Sequence, residues 1–147
     1  MKYDALEVAH YILTYCFNAG SPISNLRLQK MLYFVQGEFY KITGEPLFEN
    51  DISAWQFGPV VPDVYYEYSI YAGTPILETY PTSINFNDMS IINNVIKKLT
   101  SVPTWKLVDI THKKGTPWYK VFNEDGNRFP IDKKLLCKYF YNNEEIV

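Results

Sequence analysis

The stretch that decides the fold reads LRLQKMLYFVQG and spans residues 26–37. Ser24 precedes it and can cap a helix with its hydroxyl oxygen, whereas Gly44 follows at a position suited to a helix end. Apolar residues recur between them with the i, i+3, i+4 spacing of a helix face, which predicts a helix that runs to about Thr43. The apolar positions are Leu28, Met31, Leu32, Val35, Phe39 and Ile42.

Working outward from this helix, capping residues and prolines mark further helices on both sides. Asp4 with Glu7 forms the pattern of a capping box, and Pro62 suits the first turn of a third helix. Residues 52–57 alternate like a strand, with Trp55 and Phe57 on one side, and Gly58-Pro59 is expected to end it. Later helices are predicted to begin at Asp88 or Ser90, at Pro103-Thr104, at Thr116-Pro117 and after Asp132, with one short strand near Ile84-Asn85-Phe86.

These elements predict a mainly α fold with a small β element, of the α+β class. We expect a compact bundle of about six helices plus a short hairpin or strand near 47–57. The 147 residues match the usual size of one domain, so 1–147 is predicted to be a single domain.

Composition excludes several classes of function. The formal net charge of −2 and the pI near 5.7 disfavour nucleic acid as a partner, because phosphate binding needs clustered Lys and Arg. No apolar run approaches the roughly 20 residues of a membrane span, so no membrane association is expected. Cys16 and Cys137 are too far apart in sequence for a CxxC pair, which suits two reduced thiols in the cytoplasm.

The residues that could support catalysis or metal binding are few. His10 and His112 are the only histidines, and neither has a partner at metal-ligand spacing, so no metal, no cofactor and no catalytic residue is predicted. The enzymatic alternative is a small hydrolase that uses His112 with Glu67 or Asp63. It predicts a pocket that brings these groups within hydrogen-bond reach.

A binding surface is the favoured interpretation. Gln29, Tyr33, Gln36 and Tyr40 fall at i, i+4, i+7 and i+11 on the second helix, which places amide and phenol groups in a row beside its apolar face. Tyrosine is enriched in protein interfaces because it combines a large contact area with a polar tip. The row either contacts a partner or packs against neighbouring elements, and we predict the former.

A second part of the predicted surface lies around the strand. Trp55, Gly58 and Pro59 form a rigid aromatic turn, and Tyr66 belongs to a cluster of tyrosines that follows it. Such a turn either anchors a partner or serves as a pivot of the fold. We predict that these residues bind a partner together with the row on the second helix.

The same segments carry a resemblance to a known family. In their order along the chain they resemble the Panacea antitoxin domain, a group that includes the phage-associated GepA-like proteins and SocA-like antitoxins. Residues 73–103 carry the weakest part of the resemblance. The segments are 26–34, Gln36-Gly37, Gly44 with Pro46-Leu47-Phe48, Ala54-Trp55, 58–62, Val64-Tyr65, Thr111-His112 and Pro117-Trp118.

The resemblance implies a non-enzymatic antitoxin, often encoded on prophages or other mobile elements. Its partner would be a toxin encoded in the same operon, which it would neutralise by direct binding or as a proteolytic adaptor for a ClpXP-type protease. The alternative within the same class of function is a phage protein that binds a host factor.

Overall fold

The computed structural model describes residues 3–143, which contain seven α-helices, one 3₁₀ turn at Ser69–Tyr71 and one two-stranded sheet. The prediction of a mainly α fold with a small β element is confirmed, with one helix more than the expected six. The helices are α1 (Ala5–Asn18), α2 (Asn25–Thr43), α3 (Pro62–Glu67), α4 (Phe86–Thr100), α5 (Thr104–His112), α6 (Pro117–Glu124) and α7 (Lys133–Asn142), and the strands are β1 (Ser53–Trp55) and β2 (Gly58–Val60).

Local capping chemistry sets the ends of the first two helices, as predicted. Asp4 and Glu7 form the complete capping box of α1. The Ser24 side chain accepts a hydrogen bond from the backbone N–H of Arg27 at the start of α2. Gly44 ends α2 in the left-handed conformation with φ of 75°, which costs glycine no Cβ clash.

Two predictions for the middle of the chain are wrong. The helix α4 begins at Phe86 rather than at Asp88 or Ser90, because the Asn85 side chain caps it by accepting from the N–H of Asp88. The strand expected near Ile84-Asn85-Phe86 does not form for the same reason, since a cap and the first helical residue occupy that position.

The β element is a hairpin whose two strands flank a two-residue turn. Its register pairs Ser53 with Val60 and Trp55 with Gly58, with Gln56 and Phe57 in the turn. The prediction that Gly58-Pro59 ends the strand is therefore wrong, because both residues belong to β2. Phe57 lies in the turn and not on a strand face beside Trp55.

A later backbone segment runs along the free edge of β1. Ala54 N–H donates to the carbonyl of Phe129 at 2.8 Å, and Arg128 N–H donates back to the carbonyl of Ala54 at 2.6 Å. Ile131 N–H adds a bond to the carbonyl of Ile52. The hairpin is thus held from the side by residues 128–131, directly before α7.

The helix α2 lies at the centre of the fold and packs against α1, α3, α4, α5, α7 and β2. Thirteen of its nineteen residues are buried, whereas Ile42, expected in the apolar stripe, is exposed near the helix end. Gly37 lets α7 approach α2 closely, because a Cβ atom at this position would lie 2.3 Å from the Phe140 ring on α7.

The buried apolar side chains of residues 3–143 form a cluster that includes residues from all seven helices. Within this range, no helix is long and apolar enough to cross a lipid bilayer. The single domain over 1–147 stays a prediction, and residues 1, 2 and 144–147 of that range lie outside the described part of the chain.

Candidate functional site

The row of amide and phenol side chains on α2 lies inside the protein. The contact of Gln29, Tyr33, Gln36 and Tyr40 with a partner stays a prediction, but these side chains expose only 1–3% of their surface and do not form an outer face. The physical reason is the central place of α2. Six elements pack around it, and residues 28–37 in its middle are all buried, so this part of the helix has no face left for solvent.

Gln36 instead satisfies the backbone of the irregular segment that follows α2. Its Oε1 accepts from the N–H of Leu47 at 2.9 Å and of Phe48 at 3.3 Å, and its Nε2 donates to the carbonyl of Phe48 at 2.7 Å. Buried backbone groups outside helices and sheets need such partners. One glutamine side chain therefore fixes the path of the chain towards the hairpin.

Gln29 performs the same task beyond the hairpin. Its Oε1 accepts from the backbone N–H of Val61 at 2.9 Å, and its Nε2 donates to Oδ1 of Asn25 at 3.0 Å. The Asn25 amide in turn donates to the carbonyl of Tyr65 at 3.1 Å. This pair of amides joins the start of α2 to the junction between β2 and α3.

Lys30 holds the hairpin itself, a role that the sequence did not reveal. Its side chain is fully buried, and its Nζ donates to the carbonyl of Pro59 at 3.0 Å. Burial lowers the pKa of Lys30 to about 7. The one available signal was that Leu26 and Phe34, and no carboxylate, stand four residues away on its helix face.

Gly58 and Pro59 were predicted to contact a partner, and both are buried against this lysine. A Cβ atom at Gly58 would lie 2.9 Å from Lys30 Cε and 3.0 Å from the Thr111 hydroxyl. Gly58 also has φ of 114°, a backbone conformation that side-chain-bearing residues rarely adopt. These two residues support the hairpin from behind and do not form its outer surface.

His112 is a packed side chain at the end of α5. Its ring stacks on Trp118 with centroids 3.9 Å apart, and its buried Nε2 has no hydrogen-bond partner within residues 3–143. Burial, together with the positive charge of Lys30, lowers the pKa of His112. The ring therefore favours its neutral form.

The carboxylates of the enzymatic alternative lie in other environments. Asp63 accepts a hydrogen bond from the Asn50 amide at 2.9 Å, and the charge of Glu67 acts on His10. The charged groups that shift the pKa of His112 are Lys30 and Asp109, and its Nε2 forms no hydrogen bond with Asp63 or Glu67 in the described part of the chain. Among residues 3–143, no group of three or more His, Cys, Asp or Glu side chains is placed to hold a metal ion.

The outer face of the hairpin carries an aromatic cluster that we call the hairpin surface. The Trp55 ring lies 5.0 Å from that of Tyr65 and 5.8 Å from that of Tyr66, and the Arg128 guanidinium stacks 4.1 Å above Trp55. Phe57 at the turn is 60% exposed and Tyr66 is 57% exposed. The hairpin surface comprises Trp55, Phe57, Tyr65, Tyr66 and Arg128.

The support of this surface comes from the core. Trp118 Nε1 donates to the carbonyl of Trp55 at 2.7 Å, which ties β1 to α6, and Lys30 holds β2 from the other side. Of the residues predicted to bind a partner, the structure therefore brings Trp55 and Tyr66 together on an outer face. Their contact with a partner stays a prediction.

The chain is similar in sequence to known proteins over the segments described above. A family model described as "Antitoxin SocA-like, Panacea domain" matches residues 28–119, which include most of α2, the hairpin, α3 and the stacked His112–Trp118 pair. Antitoxin SocA of Caulobacter vibrioides is 31% identical to this chain over 150 residues. The chain belongs to the SocA-like Panacea antitoxin family. The alignment with SocA covers 92% of this chain and 79% of that protein, and no solved structure matches the chain.

Membership in an antitoxin family implies that the partner of this Panacea protein is a toxin. Gln29, Lys30 and Gln36 all lie within the matched range, and all three bind the backbone of residues 47–61. These buried hydrogen bonds position the hairpin.

Proposed function

We propose that this protein neutralises a cognate toxin by binding it directly through the hairpin surface. Its membership in the antitoxin family supports the role, and the exposed cluster around Trp55 and Tyr66 supports the location. The observation that carries the proposal is that three buried polar side chains of α2, those of Gln29, Lys30 and Gln36, hold the hairpin and the backbone on both sides of it in place. This anchoring holds the hairpin surface in one position for a partner.

The chemistry of the hairpin surface suits a protein partner. Trp, Tyr and Arg are the residue types most enriched among energetically dominant interface positions. Trp55, Tyr66 and Arg128 contact one another, so few rotamers remain to be frozen when a partner binds. Preorganisation of this kind raises affinity without enlarging the interface.

Binding can neutralise the toxin in two ways, and the proposal includes both. The antitoxin either covers the active surface of the toxin or delivers the toxin as a proteolytic adaptor to a ClpXP-type protease. The toxin would be encoded in the same operon, on a prophage or another mobile element, and the encounter would take place in the cytoplasm.

Co-expression with the product of the neighbouring gene tests the proposal. We expect that this product alone stops bacterial growth and that the antitoxin restores it, with the two proteins co-purifying. A Phe86→Ala variant is a suitable control, because Phe86 is 81% exposed on α4 and is not part of the hairpin surface. A neighbouring product that is harmless, or that stays toxic beside a folded antitoxin, contradicts the proposal.

A pulse-chase measurement of toxin lifetime separates the two mechanisms. Under the adaptor mechanism, the antitoxin shortens the lifetime of the toxin in cells with ClpXP, and loss of the protease restores both the lifetime and the toxicity. Under occlusion, growth is restored with or without the protease and the toxin persists as a complex.

A further inference from the structure

Arg128 presents an unpaired guanidinium on the hairpin surface. It is exposed, it stacks 4.1 Å above the Trp55 ring, and its Nη1 donates to the Tyr66 hydroxyl at 3.3 Å. Within residues 3–143, the side-chain ion pairs join Lys120 to Glu124 and Lys133 to Asp51, and no described carboxylate pairs with Arg128. Stacking and one hydrogen bond orient the guanidinium while its remaining donors face outward.

The backbone at Arg128 is held in an uncommon conformation. Its φ of 74° lies in the left-handed region, which is sterically costly for any residue with a Cβ atom. Hydrogen bonds between Ala54 and residues 128 and 129, at 2.6 and 2.8 Å, keep the backbone there. A glycine would adopt the same conformation at no steric cost, and the presence of arginine at this position supports a role for its side chain.

We propose that Arg128 recognises a carboxylate of the protein partner, namely an Asp or Glu side chain next to an apolar residue that packs on Trp55. This inference rests on the proposed function and names the chemistry of the partner segment. The planar guanidinium offers two parallel N–H donors that match the two oxygens of a carboxylate. The exposed rings beside it remove water from that pair and strengthen it.

Negative charge on α3, the helix next to the hairpin in sequence, favours a single carboxylate over a polyanion. The helix α3, which contributes Tyr65 and Tyr66, also carries the exposed carboxylates Asp63 and Glu67. Nucleic acid or a multiply phosphorylated segment would be repelled by these groups and would find one cation at the hairpin surface. Arg128 lies outside the residues matched by the family model, so the family match does not assign this contact.

Selection from a phage-displayed library of random linear 12-residue peptides on the full-length protein tests the inference. We expect enriched sequences that combine Asp or Glu with Phe, Leu or Trp. Fluorescence anisotropy on one synthetic peptide then gives its affinity for the protein and for three variants. Arg128→Ala and Arg128→Lys should weaken binding about tenfold or more, whereas Phe86→Ala should leave it unchanged. An Asp→Asn or Glu→Gln exchange in the peptide should have the same effect as Arg128→Ala.

Three results would overturn the inference. They are selection of peptides without a carboxylate, equal affinity of the Arg128→Ala variant, and tighter Arg128-dependent binding of a random-sequence single-stranded 20-nucleotide DNA. Absence of any Arg128-dependent peptide counts against it as well. Failure of the growth assay is a separate outcome, because peptide binding is measured without a toxin. Circular dichroism of each variant confirms that a loss of binding is not a loss of fold.

Discussion

Two polar regions of this antitoxin differ in what their side chains contact. Gln29, Lys30 and Gln36 on α2 are buried and bind backbone groups of residues 47–61. Tyr66 and Arg128 on the hairpin surface are exposed and contact other side chains of the same surface. The side chains of the first region hold the hairpin in position, and those of the second form its solvent-exposed surface.

The difference teaches that a polar motif in a helix need not mark a binding face. A buried amide or ammonium group that bonds irregular backbone replaces the hydrogen bonds that a regular sheet would supply. Removing it leaves several backbone groups unpaired, whereas removing an exposed interface side chain leaves none. Substitutions in the two regions should therefore affect different measurements, stability in one and binding in the other.

The Gln36→Leu variant should produce the largest loss of stability. It keeps the approximate volume but leaves Leu47 N–H, Phe48 C=O and the more distant Phe48 N–H without their side-chain partner. The two shorter bonds, at roughly 1–3 kcal/mol each, account for a loss of roughly 2–6 kcal/mol. Urea unfolding at constant m-value measures the change. The matched control is Gln56→Leu in the exposed turn, which should stay within about 0.5 kcal/mol of the wild type. Equal changes in the unfolding free energy of the two variants would contradict the structural role of the buried region.

Lys30 gives the buried region a dependence on pH. Because its pKa falls from 10.5 to about 7 in the folded state, the unfolded chain binds more protons between these values, and stability contributed by this group rises with pH. Between pH 7 and 10 the free energy of unfolding should rise by roughly 4 kcal/mol relative to a Lys30→Met variant, at 1.36 kcal/mol per pH unit. Contributions of the tyrosines cancel in this difference. A difference that stays constant across this range would show that Lys30 keeps an ordinary pKa.

Gly58→Ala should destabilise the support of the hairpin by roughly 2–4 kcal/mol. Its Cβ atom would meet Lys30 and Thr111 at about 3.0 Å, and its φ of 114° is strained for alanine. Gly115→Ala is the control, since Gly115 has φ of 94° with nothing within 4 Å of the added atom. The Gly115→Ala variant should lose only roughly 1–2 kcal/mol of unfolding free energy, because the added Cβ atom strains the backbone but contacts nothing. Thermal unfolding of both variants separates the two causes of destabilisation. The loss in Gly115→Ala gives the cost of backbone strain, and the additional loss in Gly58→Ala gives the cost of the contacts with Lys30 and Thr111.

Tyr66→Ala should have the smallest effect on stability and a large effect on function. Tyr66 is 57% exposed, so the free energy of unfolding should change by less than about 1 kcal/mol. Toxin neutralisation should nevertheless fall, because the ring and hydroxyl orient Trp55 and Arg128. A titration of toxin with antitoxin in a growth or pull-down assay measures this. Full neutralisation of the toxin by the variant would show that Tyr66 is not part of the interface.

Much of the fold could be predicted because its signals are local. Asp4, Ser24 and Gly44 each act within one helical turn, and capping chemistry can be read directly from neighbouring residues. The hairpin was harder, since Gly58 and Pro59 resemble a strand end in sequence. Their pairing with β1 depends on Lys30, which lies on a different element.

The site was less predictable because its contacts are remote in sequence. Helical spacing correctly places Gln29, Tyr33 and Gln36 in one row, but whether that row is exposed depends on how many elements surround α2. Arg128 reaches Trp55 only through the backbone pairing of residues 128–131 with β1, and no periodicity indicates such a pairing. Trp55 and Tyr66 were predicted from sequence because aromatic residues beside a stiff turn are informative by themselves, and their contact with a partner stays a prediction.

The most direct test of the central claim is toxin neutralisation by an Arg128→Glu, Tyr66→Ala double variant, measured beside its unfolding free energy. The account predicts a folded protein within about 1 kcal/mol of the wild type that neither restores growth nor co-purifies with the toxin, whereas Phe86→Ala does both. A folded double variant that neutralises the toxin as well as the wild type would contradict the assignment of the hairpin surface as the binding site.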